Sequence, residues 1–349
     1  MKAKHIVFLY SEMAGYFIAC LRTLAPEVDS VTVYHWPINS EAPFVFDPIP
    51  GVTFIDRTGL DDTALQTEVS SKKPSVIVCS GWMDKGYVSV LGKLSKQVPT
   101  LCIIDTHWNG SLKQRLLCTL AKWRITDRFT HAWVAGAPQA DYARRLGFKS
   151  SHIIDGYYSA DVALFDKVYQ SRKASLADSP KVFLFVGRYM AHKGIYEMWD
   201  AFIAANAQHN NEWQLWCLGA GEEYDKRISD EHIRHFGFVQ PEEMAEITSK
   251  ASVFILPSKF EPWGVVVHEF AVAGFPMLLN KSVGAATRFL SEGENGYSFD
   301  TSRPESIHSA FMQMMSTSAA QREKMSITSH EKGLQLTPEK WANELLALL

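Results

Sequence analysis

Short apolar runs rich in β-branched and aromatic residues recur along this chain, spaced to leave room for a helix between neighbours. No other feature constrains the fold as much. In the first half the runs are 5–10 (HIVFLY), 31–36 (VTVYHW), 52–55, 75–79 (SVIVC), 100–105 (TLCIID) and 131–135 (HAWVA). A strand that is apolar on both of its alternating faces needs cover on both, and crossover helices give a parallel sheet that cover. A polar stretch near 159–180 interrupts the rhythm, which restarts at 181–186 (KVFLFV), 213–218 (WQLWCL), 233–236, 252–257 (SVFILP) and 276–279. The expectation is an α/β chain of two Rossmann-like parallel-sheet domains facing a central cleft, with ligands beyond the carboxyl ends of the strands.

Length agrees with that doubling, since 349 residues is about twice the usual domain. The boundaries expected are 1–165, 166–335 and a terminal segment 336–349, where Pro338 is placed to open a helix with Trp341, Leu345 and Leu346 on its apolar face. A content of 46% hydrophobic and 12% aromatic residues excludes a disordered chain. The formal net charge of −3 argues against a nucleic-acid partner held by whole-chain attraction, so any anion site must be built locally. Five cysteines without a CxxC pair fit a reduced, cytoplasmic setting, and no apolar run reaches the length of a membrane span.

Two stretches of the second half carry the chemistry. The run KVFLFV leads into Gly187, Arg188, Tyr189, Met190, Ala191, His192, Lys193 and Gly194, then into a helical pattern. A loop between strand and helix presents N–H groups and a positive helix end to an anion. Arg188 grips two oxygens at once and Lys193 adds a mobile charge, which suits a diphosphate; the alternative is two solvated loop cations. The second stretch, 251–276, passes from a strand through Ser258, Glu261, Pro262, Trp263 and Gly264 into a helix that carries Glu269. Carboxylates here would repel a diphosphate, so hydroxyls are their expected partners: ribose for Glu269 and a sugar for Glu261. Gly264 and Val265, at the helix start, offer N–H groups to phosphate. The alternative is a surface glutamate plus one favoured by the helix dipole.

Four motifs, FVGRYMAHKG at 185–194, the long run 237–269, AVAGFP at 271–276 and GENGYSF at 293–299, resemble the retaining glycosyltransferases of family 4, which have the GT-B fold. The resemblance implies that 1–165 binds the acceptor, that 166–335 binds a nucleotide sugar, and that the terminal helix packs back toward the first domain. It implies that Arg188 and Lys193 hold the diphosphate, Glu269 the ribose and Glu261 the donor sugar, while backbone near Phe238 and Val239 meets the base. His107, just past the strand TLCIID, matches a position beside the donor sugar, and Asp105 either orients His107 or caps the next helix. Gly15 matches a glycine where backbone approaches the substrates. The catalytic set is then His107, Glu261, Arg188 and Lys193, acting without a metal or other cofactor. The reaction implied is transfer of a hexose-type sugar to a saccharide or lipid-linked acceptor, in surface polysaccharide or glycolipid synthesis. By the same resemblance no enzyme nucleophile takes part, and a phosphate oxygen of the leaving group accepts the acceptor proton.

The segment 111–128 places Leu112, Leu116, Leu117 and Leu120 at helical spacing among Lys113, Arg115, Lys122, Arg124 and Arg128. One reading is contact with an anionic membrane at its inner face, as in relatives that act on lipid-linked acceptors; the other is a crossover helix with a solvated basic face. Two rival functions stay open. Leu218, Gly219, Ala220 and Gly221 after a strand suggest a nicotinamide-dependent oxidoreductase, although a third glycine is missing. A non-catalytic subunit that only binds the nucleotide sugar would carry the same residues.

Overall fold

The computed structural model describes residues 4–37, 46–173, 180–240 and 243–349. They form two compact units, one of residues 1–159 with 336–349 and the other of residues 160–335.

The first unit alternates strand and helix: β1 (His5–Leu9), α1 (Gly15–Leu24), β2 (Ser30–His35), β3 (Val52–Asp56), α2 (Asp62–Ser71), β4 (Val76–Cys79), α3 (Lys85–Leu94), β5 (Thr100–Ile104), α4 (Leu112–Arg124), β6 (His131–Val134), α5 (Ala137–Arg145) and β7 (Ile153–Asp155). Its seven parallel strands lie in the order β3-β2-β1-β4-β5-β6-β7. Successive side chains of a strand point to opposite faces, so each apolar run feeds two cores. Ile6, Phe8, Val31, Val33, Val76, Val78, Leu101, Ile103 and Trp133 share one core with Phe17 and Leu21 of α1. Val7, Leu9, Ile77, Cys79, Cys102, Ile104, Ala132 and Val134 share the other with Val90 and Leu91 of α3, Ala121 of α4 and Tyr142 of α5.

The second unit runs α6 (Val162–Lys173), β8 (Val182–Val186), α7 (Ile195–Gln208), β9 (Gln214–Leu218), β10 (Ile233–Gly237), α8 (Met244–Ser249), β11 (Val253–Leu256), α9 (Val265–Val272), β12 (Met277–Asn280), α10 (Ala286–Phe289), β13 (Gly296–Phe299), α11 (Pro304–Met315) and α12 (Ala319–Gly333). Its six strands, again parallel, lie in the order β10-β9-β8-β11-β12-β13. The division at Ser159 falls a few residues before the boundary read from the sequence, because α6 packs wholly into unit 2. Its Arg172 is buried, donating to Ala273 O at 2.7 Å and Ala251 O at 3.1 Å, with the guanidinium 3.5 Å from the Phe275 ring centre.

The last helix, α13 (Pro338–Leu346), closes the first core rather than the second. Its Trp341 stacks on Trp133 at 4.8 Å and on Phe8 at 6.0 Å. In each unit the strand order reverses beside its first strand, between β1 and β4 and between β8 and β11. Loops leaving such a pair diverge and open a crevice within that unit. Among the described residues no helix is long and apolar enough to cross a membrane.

Candidate active site

In unit 2 the loops after β8 and β11 flank the reversal, and both run into helices. The first passes through a short turn, Ala191–Lys193, to Gly194, which takes φ +71° before α7 begins. A Cβ on Gly194 would lie 2.3 Å from Pro257 O, so only glycine lets this loop close on the one after β11. One backbone hydrogen bond joins the two, and others brace the second loop against the ends of β12 and β13. Lys259 N donates to His192 O at 2.8 Å, Thr301 Oγ1 to Pro257 O at 2.7 Å, and Asn280 Nδ2 and Ser282 Oγ each to Ser258 O at 2.8 Å. The Lys259 ammonium also pairs with Glu197, in the first turn of α7, at 2.5 Å.

Across this junction Lys193 Nζ meets Glu261 Oε2 at 2.5 Å, with both side chains only 14% exposed. Ser258 Oγ donates to the same oxygen at 3.2 Å. The sequence reading gave these two residues separate ligands and did not foresee their contact. The pairing holds the ammonium in place while leaving it N–H donors for an anion, and holds one carboxylate oxygen while the other remains an acceptor. Arg188 is exposed on the same loop. His192 sits below the ordinary histidine range, first through desolvation and then through the Lys193 and Arg188 cations, which places all three in one electrostatic neighbourhood.

Gly264, at φ +92°, precedes α9, and no side chain caps that helix start. The first N–H groups of a helix have no intrahelical partner, so those of α9 are directed at whatever occupies this end. Glu269 lies just over one turn in and is partly buried. Its carboxyl is pushed up to about 7, chiefly by desolvation and then by the charge of Asp161. The adjacent His268 is a packing residue: its ring is buried, with Nδ1 accepting from Ala160 N and Nε2 on Gly333 O, both at 2.9 Å. Phe238 and Val239 follow the edge strand β10 and are partly buried.

Gly219 and Gly221, which suggested a dinucleotide fold, have another explanation. A Cβ on Gly219 would stand 2.0 Å from Gly187 O and one on Gly221 2.6 Å from Tyr189 O. Both glycines serve the docking of the 187–189 loop, with Tyr189 N donating to Ala220 O at 2.9 Å. The oxidoreductase reading loses the feature that prompted it.

In unit 1, Gly15 opens α1, and a Cβ there would touch nothing within 4 Å, so packing does not require a glycine. Asp105 and His107 follow β5. The Asp105 carboxylate receives the Tyr158 hydroxyl at 3.2 Å and that of Thr106 at 3.3 Å. The helix α4 is capped by Ser111 instead, so the capping role read for Asp105 from the sequence is corrected. Tyr158 belongs to a hydroxyl cluster in which Tyr157 donates to Tyr10 at 2.8 Å. His107 is partly buried, and its carbonyl accepts from Gln114 Nε2 at 2.9 Å while Gln114 Oε1 takes Asn109 N at 2.7 Å. Gln114 thus fixes the His107 loop to the first turn of α4, a role that no motif in the sequence signalled. Among the described residues no group of three or more His, Cys, Asp or Glu gathers as a metal site would need.

Comparison with known proteins bears on unit 2 first. Residues 167–332 match the model of the glycosyl transferases group 1 family. An uncharacterized glycosyltransferase of Methanocaldococcus jannaschii is 29% identical over 41% of this chain and 37% of its own length. The lipopolysaccharide core biosynthesis glycosyltransferase LpsE of Rhizobium meliloti is 28% identical over 44% of this chain and 45% of its own. Both matches thus span less than half of the relative. Among solved structures, that of Anabaena Alr3699/HepE in complex with UDP and glucose superposes with a TM-score of 0.72, covering 99% of this chain and 100% of that one at 14% identity. The chain therefore has the GT-B fold, and its second unit is similar to the glycosyl transferases of group 1.

Proposed function

We propose that this protein is a retaining glycosyltransferase that moves a hexose-type sugar from a nucleoside diphosphate sugar to a saccharide or lipid-linked acceptor, in surface polysaccharide or glycolipid synthesis. The observation that carries the reading is the Lys193–Glu261 contact, beside Arg188 and the uncapped start of α9 in the crevice of unit 2. A diphosphate needs cations and N–H donors, a sugar needs hydroxyl acceptors, and this junction offers both within a few ångströms. The match of unit 2 to a glycosyltransferase family supports the class of reaction, and the lipopolysaccharide role in the name of LpsE supports the setting. The UDP and glucose of the HepE structure make UDP-glucose the first donor to try.

In this mechanism Arg188, Lys193 and the N–H groups of Gly264 and Val265 take the charge that grows on the departing diphosphate. Glu269 accepts from ribose hydroxyls, Glu261 from a sugar hydroxyl, and backbone at Phe238 and Val239 meets the base. For unit 1 the proposal assigns the acceptor, with Gly15 admitting substrate close to backbone, Asp105 offering an acceptor oxygen and His107 contacting the transferred sugar. The acceptor hydroxyl attacks from the face the diphosphate leaves, and its proton passes to a phosphate oxygen of that group, so no enzyme nucleophile is consumed. With the diphosphate charge met by protein groups, we propose that no metal takes part.

Thermal melting with UDP, GDP and ADP identifies the donor base, because a ligand bound only by the native state raises the midpoint. Lys193→Ala should weaken that nucleotide by about tenfold or more, the worth of one charged hydrogen bond. EDTA should change nothing, and nucleoside diphosphate should be released only with acceptor present. If no nucleotide shifts the midpoint, or if Lys193→Ala binds like wild type, the reading fails. Binding without release under any acceptor would leave a non-catalytic subunit.

A further inference from the structure

The loop after β8 carries three basic side chains, and His192 lies between Arg188 and Lys193 in sequence, on the turn Ala191–Lys193. Lys193 N closes that turn on Met190 O at 2.9 Å and Gly194 N on Ala191 O at 3.2 Å, while the His192 carbonyl accepts from Lys259 N at 2.8 Å. Its backbone is thus pinned to its own turn and to the loop after β11. Its side chain is not. His192 is exposed, and among the described residues neither ring nitrogen has a hydrogen-bond partner. Histidines with a packing role in unit 2 engage both nitrogens: His268 as described above, and His235 with the Tyr189 hydroxyl at 2.7 Å and Ile228 O at 2.9 Å.

Three loops supply the charges that face His192. Desolvation first, then Lys193 and Arg188 on its own loop, disfavour a proton on the ring; Glu261 on the loop after β11 and Glu222 on the loop after β9 favour one. Lys259, the other charge on the loop after β11, is engaged by Glu197 of α7 at 2.5 Å. The balance keeps the imidazole below the ordinary histidine range, so it is neutral near pH 7. A diphosphate reverses that balance, because its charge offsets the two cations and attracts a third. A permanent third cation would repel Arg188 and Lys193 whenever the site is empty, whereas an imidazole becomes charged only when the anion arrives. We propose that His192 is a third diphosphate-binding residue, which takes up a proton from solvent as a nucleoside diphosphate binds to Arg188 and Lys193, and donates a ring N–H to a phosphate oxygen. This deepens the donor site proposed above and rests on it.

Titration calorimetry of the full chain tests the proposal, using whichever of UDP, GDP and ADP raises the melting midpoint. Run at pH 7 in PIPES and in imidazole, which differ in ionisation enthalpy, it counts the protons exchanged on binding. Wild type should take up about 0.3 proton or more beyond His192→Gln, since the titrations of Glu269 and of the nucleotide are common to both. The same variant should bind about five times more weakly than wild type at pH 6 and within about twofold of it at pH 8.5, where the imidazole stays neutral. His192→Lys, charged throughout, should bind at pH 8.5 at least as tightly as wild type and show no excess uptake. Without nucleotide both variants should melt like wild type, because the ring holds no other residue in place. Equal proton uptake in wild type and His192→Gln, or an affinity ratio that is the same at pH 6 and pH 8.5, overturns the proposal and leaves Lys193→Ala to judge the donor site by itself. If wild type binds none of the three nucleotides, the donor site and its third ligand fall together.

Discussion

Glu269 is the residue whose environment makes the sharpest demand. With its carboxyl pushed up to about 7, it is largely protonated at pH 6 and largely ionised at pH 8. If Glu269 accepts from ribose hydroxyls as proposed, it does so in the ionised form, and its contribution to affinity for the nucleoside diphosphate should rise about tenfold between those pH values. Glu269→Gln should flatten this rise, with nucleotide ionisation common to both proteins; titration calorimetry at several pH values reads the difference. Stability runs the other way. A carboxyl raised above its unfolded value binds protons more readily in the fold, so stability falls as pH climbs from about 4.5 through about 7. Glu269→Gln should therefore melt about 2 °C or more above wild type at pH 8 and show no such gain at pH 5. Much of this site was legible in the sequence, because Arg188 and Lys193 share one loop while Glu261, Gly264 and Glu269 share one loop-helix junction. What stayed hidden were contacts between separate segments. Lys193 on Glu261, Tyr158 on Asp105 and Gln114 under His107 depend on which strands lie side by side, and spacing along the chain does not encode that.

At the scale of the element, α13 shows how a short terminal helix completes a core. Trp341 lies between Trp133, Phe8 and Phe17, and its truncation to alanine should cost about 3–5 kcal/mol, read as a lowered urea midpoint. An unchanged midpoint would mean that this face of the sheet is held by α1 alone. Long apolar strands such as β1, β4 and β11 were plain in the sequence, being buried on both faces. The strands β7 and β13 were not read, since each is short, partly exposed and without a continuous apolar run. Helix α4 was recognised as a helix, but its orientation was not. Leucines alone do not say which side meets the core, and here a buried glutamine and alanine do so.

At the scale of the whole molecule, the same strand order appears twice, and each sheet reverses beside its first strand. If the nucleotide site is confined to unit 2, hydrogen exchange measured with and without the nucleotide that raises the melting point should slow in the loops after β8 and β11. The core strands of unit 1 should exchange unchanged. Equal slowing throughout both sheets would contradict a donor site built on one unit. The unit that begins the chain also needs residues 336–349, which follow all of unit 2. During synthesis Phe8, Phe17 and Trp133 therefore wait for Trp341, which is translated only after the whole of the second unit. A segment made early thus matures only after one made later, so a stop codon at position 336 would leave the domain translated earlier uncovered.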